Sequence, residues 1–261
     1  MVSTARTVPR PTTILVAWLP RQHGAWAMLA VPLLLGVAAS RPSGWQLVLA
    51  ATAVAGYLAA ASAQGFLRSR GGGRYRAPLI VYGGAFGALG LLLAWTHPIL
   101  FAALVVLVPA AGTALWGARP GTRRAITTSL AAVVQALVLV PAAAVLAGPT
   151  HWLAVERATL LAAIYLAGTV LVVRSVIRER GNGGFAALSV GYHLGAVVVA
   201  ALLLPWAYVA YVAALAVRAA SLPVLQRRWA GSGRPLRPIQ VGVVEIVASA
   251  ALVALAFTVS L

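Results

Sequence analysis

Nine apolar runs, nearly free of charge, alternate with short connections that carry arginine. Bounded at charges and at Pro/Gly clusters, they fall near Ala25–Ala39, Gln46–Leu67, Leu79–Trp95, Ile99–Gly117, Ile126–Ala147, Ala158–Val173, Gly184–Leu204, Trp206–Leu222 and Ile239–Ser260. A hydrocarbon core of about 30 Å requires roughly 20 such residues per helix, because lipid cannot satisfy backbone polar groups. The pattern predicts an all-α polytopic transmembrane bundle of about nine helices. Composition excludes the alternatives. Hydrophobic types make up 62% and charged types 9%, too few charges to cover a water-facing surface and too apolar a chain for disorder. We divide the sequence into a basic N-terminal segment, 1–23, and a single transmembrane helical domain, 24–261.

Three boundaries need argument. The first run is short and, with its basic leader and Val37-Ala38-Ala39-Ser40, has features of a cleaved signal peptide. Its flank is long and rich in Trp, His and Pro, so we read it as a retained helix. The sixth run begins at Glu156 and Arg157, which either cap it or extend it. Gly184 to Val217 is uncharged, and as one helix would measure about 51 Å, too long for one crossing. Pro205 splits it into a seventh and an eighth helix, the eighth ending toward Pro223.

The 20 basic residues are all arginine, opposed by Glu156, Glu179 and Glu245, for a net charge of +17. With the N-terminus cytoplasmic, the inside segments hold all of these arginines except Arg41 and Arg157, a strong positive-inside bias. The C-terminus is then outside. Nucleic-acid binders place basic patches on soluble modules; these arginines lie between apolar runs, so no nucleic-acid partner is expected. The chain has no Cys and no Asp. That removes thiolate chemistry and the commonest ligands of catalytic Mg²⁺. Arg-rich connections follow the second and the sixth helix, an even offset that makes any repeat parallel. Transporters built on inverted repeats need an odd number per unit.

Three groups of residues can carry chemistry. At the entry of the first helix, Gln22, His23 and Trp26 bring an amide, an imidazole and an indole to a helix start, which attracts anions; an interfacial anchor is the alternative. In the connection after the sixth helix, Arg174 and Arg178 are four apart, and two guanidinium forks one turn apart can clamp a phosphate or carboxylate. Equally, they can orient the protein and touch anionic headgroups. Within the spans, Gln135, Ser189, His193 and Glu245 are costly in hydrocarbon, and Arg218 is a plausible partner for Glu245. These groups point to a cytoplasm-facing polar cavity or, alternatively, to hydrogen bonds that hold helices together. His97 and His151 fall on outside turns. No GxSxG, Walker A or HExxH motif occurs.

Residues 21–36, RQHGAWAMLAVPLLLG, resemble the opening signature of the YwiC-like family of bacterial multi-pass membrane proteins. Val172 to Asn182 resembles a second block of that family, and Val241-Gly242-Val243-Val244-Glu245 does so more loosely. The resemblance implies a protein of the bacterial cytoplasmic (inner) membrane and brings no established reaction. Nine helices with polar loops after the second and sixth also resemble the plan of UbiA-type prenyltransferases. In those, such loops hold a prenyl diphosphate through Mg²⁺ and Asp-rich motifs. Here the first loop runs from Gln64 and Arg68 through Gly71-Gly72-Gly73 to Arg74, Tyr75 and Arg76-Ala77-Pro78-Leu79. The absence of Asp means that the metal-assisted step does not carry over.

The expected function is binding or processing of an anionic isoprenoid or lipid phosphate, the partner being a membrane lipid or an amphipathic anionic small molecule. Its head would meet Gln22, His23, Trp26, Gln64, Arg68, Arg74, Arg174, Arg178, Asn182 and Arg218, and His193 or Glu245 would move a proton. The sequence specifies no cofactor and no metal site. The alternative is a proton-coupled transporter with His193 and Glu245 as the relay.

Overall fold

A computed structural model describes residues 18–19, 23–70, 72–119, 126–149, 151–234 and 236–261. Most of the basic N-terminal segment lies outside these residues, as does Gln22. Every regular element among them is helical: α1 (His23–Ala38), α2 (Gly44–Arg68), α3 (Arg76–Thr96), α4 (Leu104–Trp116), α5 (Ile126–Leu137), α6 (Leu139–Val145), α7 (Trp152–Ile177), α8 (Gly183–Leu203), α9 (Trp206–Gly231) and α10 (Pro238–Thr258). Two of these combine with neighbours. A 3₁₀ turn, Pro98–Ala103, leads into α4, and α5 and α6 form one crossing interrupted at Val138. Pro141 explains that interruption: without an N–H it leaves the Leu137 carbonyl unbonded, and its ring crowds that carbonyl. Eight crossings are long and apolar enough to span a bilayer, with α1 as a shorter ninth helix. The chain is a multi-pass helical membrane protein.

Burial follows the charge-free faces. The core is built on α7, whose Val155, Ala158, Leu161, Ala162, Tyr165, Leu166, Val172 and Val176 are all buried. α1 packs against α6, α7 and α10 through Val31 and Leu35. α1 is therefore packed into the bundle. Gly36 allows the close approach to α6: a Cβ there would lie 2.8 Å from both the Val140 carbonyl oxygen and the Ala143 Cβ. The turn before α2 is tied to the same place. Buried Gln46 donates to the Ala143 carbonyl (3.0 Å) and accepts from the Ser43 N–H (3.0 Å).

The outer surface is apolar, as lipid requires. Leu47, Ile80, Leu91, Val105, Leu202 and Val217 all point outward. Trp95, Trp152 and Trp206 lie at helix ends on one side of the bundle, and Trp116 and Trp229 toward the other, the placement of an interfacial belt.

Two boundaries differ from expectation. α7 begins at Trp152, so Glu156 and Arg157 lie within its first turns and extend the helix. The eighth expected helix, α9, does not stop near Leu222; it runs through Pro223 to Gly231. A proline inside a helix removes one hydrogen bond, and packing carries the helix past it: Leu222 and Pro223 are both buried. Arg218 thus moves from the end of its helix to the middle, about 20 Å from Gly231 at 1.5 Å per residue. The expected division of α8 from α9 is present. Leu204 is extended, and Pro205 opens α9.

Candidate functional site

Three helices bring polar side chains to one buried point. On α10, Glu245 lies two turns from the helix start. On α9, Arg218 faces it, with Nη1 2.7 Å from Glu245 Oε2. On α7, Thr169 Oγ1 donates to the same oxygen (2.8 Å). Tyr165, one turn away on α7, donates to the Glu245 carbonyl (3.1 Å) and shares a 2.6 Å hydrogen bond with Ser249. Tyr211 of α9 donates to the Ala248 carbonyl (2.9 Å). The ion pair expected between Arg218 and Glu245 is present, and it is almost closed to solvent: the two side chains are 9% and 11% exposed.

The pair is only partly satisfied. Arg218 Nε and Nη2 are buried with no acceptor, and Glu245 Oε1 is buried with no donor, among the described residues. Nε and Nη2 lie on one edge of the guanidinium plane and form a parallel donor fork, the shape that carboxylates and phosphates match. Buried polar groups are nearly always partnered, so three open positions at one ion pair set this centre apart.

His193 stands on the neighbouring helix, fully buried and within electrostatic reach of Arg218. Its Nδ1 lies 2.7 Å from the Ser189 carbonyl and must donate to it, which leaves Nε2 as the acceptor nitrogen. Nε2 has no partner among the described residues and faces α7 at Gly168, where a Cβ would come within 2.7 Å of it. Ser189 Oγ is likewise buried and open.

The other expected ligand residues fall elsewhere. Arg174 pairs with Glu179 (3.3 Å) and lies over the Phe185 ring. α7 ends at Ile177, so Arg178 stands exposed as its C-cap. Asn182 caps α8, accepting from the Phe185 N–H (3.1 Å) and donating to Glu179 Oε2 (3.2 Å). The geometry makes Arg174, Glu179 and Asn182 a connected turn between two helices. Arg68 donates to Gln64 (3.2 Å) on the surface, and Arg74 lies over Tyr75. Trp26 packs edge-on against Tyr57 of α2. His23 is described only as the first residue of α1, and Gln22 lies outside the described residues. No cluster of three metal-ligating side chains occurs among the described residues.

Sequence reasoning did not single out Tyr165, Thr169, Tyr211 or Ser249. The signal was there: Tyr165 and Thr169 are four apart on α7, and Glu245 and Ser249 are four apart on α10, each a polar pair on one helical face.

Comparison with known proteins places the chain. A family model described as YwiC-like protein matches residues 19–144. The Bacillus subtilis (strain 168) protein named Uncharacterized protein YwiC is 30% identical over 241 residues, which cover 88% of this chain and 93% of the relative. The chain belongs to the YwiC-like family. No solved structure matches it. Within this YwiC-like protein the family match runs from α1 to α6, and the Arg218–Glu245 centre lies in the later helices, α7 to α10.

Proposed function

We propose that this YwiC-like protein binds the anionic head group of a membrane lipid or isoprenoid at the Arg218 fork, with the apolar tail lying among the surrounding helices. The observation that carries this reading is a guanidinium in mid-helix that commits only Nη1 to its partner and keeps a bidentate edge open. A buried arginine in a span is costly, and such residues mark functional paths. Strict reversal of direction at each crossing gathers the Arg68–Arg76, Arg178–Arg180 and Arg234–Arg237 connections at one end of the bundle. In the cytoplasmic membrane of a bacterium, with the positive end inside, exposed Arg68, Arg74 and Arg178 would concentrate anionic head groups at the entrance. His193 and Glu245, the two candidate proton-moving groups, stand beside the bound head group in this reading.

The test is lipid analysis of the purified protein. Extracts of the wild type are expected to be enriched in anionic lipid relative to the membrane of origin. Arg218→Gln should lose that enrichment, and Arg41→Gln, an exposed arginine at the opposite end of the bundle, should keep it. Identical lipid profiles for the wild type and Arg218→Gln would refute the assignment.

A second reading, a proton-coupled transporter, is favoured by one specific observation: His193 Nε2 and Glu245 Oε1 are both buried and open on adjacent parts of one bundle. It predicts proton movement driven by a pH gradient in proteoliposomes, lost in His193→Asn, whereas a binding protein shows none.

A further inference from the structure

We infer that the centre takes up a monovalent oxyanion together with one proton, and that the proton goes to Glu245. The inference rests on the reading of Arg218 as an anion site and adds the charge and the proton count of what binds there.

The hydrogen-bond inventory comes first. Glu245 Oε2 is already engaged by Arg218 Nη1 and Thr169 Oγ1. The open positions are two donors, Arg218 Nε and Nη2, and one acceptor, Glu245 Oε1. Nη1 and the open edge belong to one guanidinium, so an anion seated on that edge shares a single positive charge with the carboxylate of Glu245. Two oxyanions on one guanidinium repel, and Oε1 carries no hydrogen to offer. A proton on Oε1 reverses both effects. It removes the repulsion and turns the open acceptor into a donor.

The charge count leads to the same place. Arg218 and Glu245 sum to zero. The elements packed around them contribute Tyr165 and Thr169 from α7, His193 from α8, Tyr211 from α9 and Ser249 from α10. The charged groups acting on Tyr165, Tyr211 and His193 are Arg218 and Glu245. α1, from Trp26 to Ala38, has no titratable residue. A monovalent anion alone therefore leaves one uncompensated negative charge in a medium where that is expensive. One proton restores neutrality. A doubly charged phosphate monoester would remain negative after it, which is why the site fits a carboxylate or a phosphodiester. No bond in the ligand breaks: the proton moves from solution to Glu245 Oε1, and it returns when the anion leaves. His193 is the less suitable acceptor, because a proton on Nε2 would point at Gly168 with no acceptor facing it.

The experiment uses the full chain in nonionic detergent with a pH indicator and minimal buffer. Two probes separate the possible sources of the anion: dioleoylphosphatidylglycerol in mixed micelles, and sodium hexanoate. Binding of the first alone assigns the site to a lipid head group; binding of hexanoate assigns it to a soluble anion; either supports the inference if accompanied by uptake of about one proton per anion. Affinity should fall as pH rises, because the anion binds together with a proton. Glu245→Gln, uncharged and of the same shape, should bind with no proton uptake and with pH-independent affinity. If that variant does not fold, the wild-type proton count and pH series still decide the matter. Binding without proton uptake overturns this inference and leaves the anion site standing. No binding of either probe overturns both. Uptake that persists in Glu245→Gln and disappears in His193→Asn overturns the assignment to Glu245.

Discussion

Arg218→Met is expected to destabilise the protein by about 3–5 kcal/mol, measured by unfolding in mixed micelles, because it leaves Glu245 buried without its counter-charge. The side chains concerned are about nine-tenths buried and meet at 2.7 Å, so solvent screens the interaction little. Glu245→Leu alone should cost a similar amount by stranding the guanidinium. The double variant Arg218→Met/Glu245→Leu should recover most of the loss, since a buried ion pair replaced by apolar groups of similar volume is often neutral or better. The coupling between the two positions is the quantity to read. Additive losses, or a single variant as stable as the wild type, would mean that the two charges do not meet in the membrane. The same comparison bears on function: a stable double variant that has lost anion binding would show that the charges serve the ligand, with apolar packing sufficient for the fold.

The second large effect lies at the crossing of α1 and α6. Gly36→Ala is expected to destabilise by about 1–3 kcal/mol, the range for overpacking. The added carbon meets the Val140 carbonyl oxygen at 2.8 Å and the Val140 Cα at 3.1 Å, backbone atoms with no rotamer to escape into. Gly83→Ala is the control, because a Cβ at Gly83 meets nothing within 4 Å. In the interior of α3 that change should be neutral or mildly stabilising, as alanine is the better helix former. Thermal unfolding of the two variants side by side checks the pair. Equal effects would show that α1 does not seat against α6 through Gly36.

Much of the fold is legible in the sequence because the bilayer imposes one rule on every segment. Runs free of charge become crossings, and their ends are set by arginine and proline; Pro205 divides α8 from α9 for this reason. The rule fails where packing outweighs local punctuation. Pro223 reads as a stop, yet the burial of Leu222 and Pro223 carries α9 through it to Gly231. Glu156 and Arg157 read as either a cap or an extension, and the helix takes the second course, starting at Trp152.

The candidate site was legible in part for the same reason. A Glu and a His in apolar runs are conspicuous, and the pairing of Glu245 with Arg218 follows from their expected depths. Tyr165, Tyr211, Thr169 and Ser249 were not conspicuous, since hydroxyl groups sit in lipid-exposed helices at little cost when they bond a neighbouring carbonyl. The arginines near 174–182 are conspicuous in the sequence for their spacing. Their spacing offers an anion clamp; in the structure Arg178 is the exposed C-cap of α7, Arg174 pairs with Glu179, and Asn182 caps α8.

The order in which the helices leave the ribosome gives the central ion pair one more consequence. α1 meets α6, α7 and α10 only after each has been made, and the delay costs nothing, since acyl chains are as good a neighbour for Val31 and Leu35 as another helix is. Arg218 has no such patience. Its counter-charge follows 27 residues later in the chain, a wait of a few seconds at about 5–20 residues per second. Until then a lone cation would lie in an apolar span without its partner. Insertion of α9 and α10 together as a hairpin gives the cation its partner at the moment of entry.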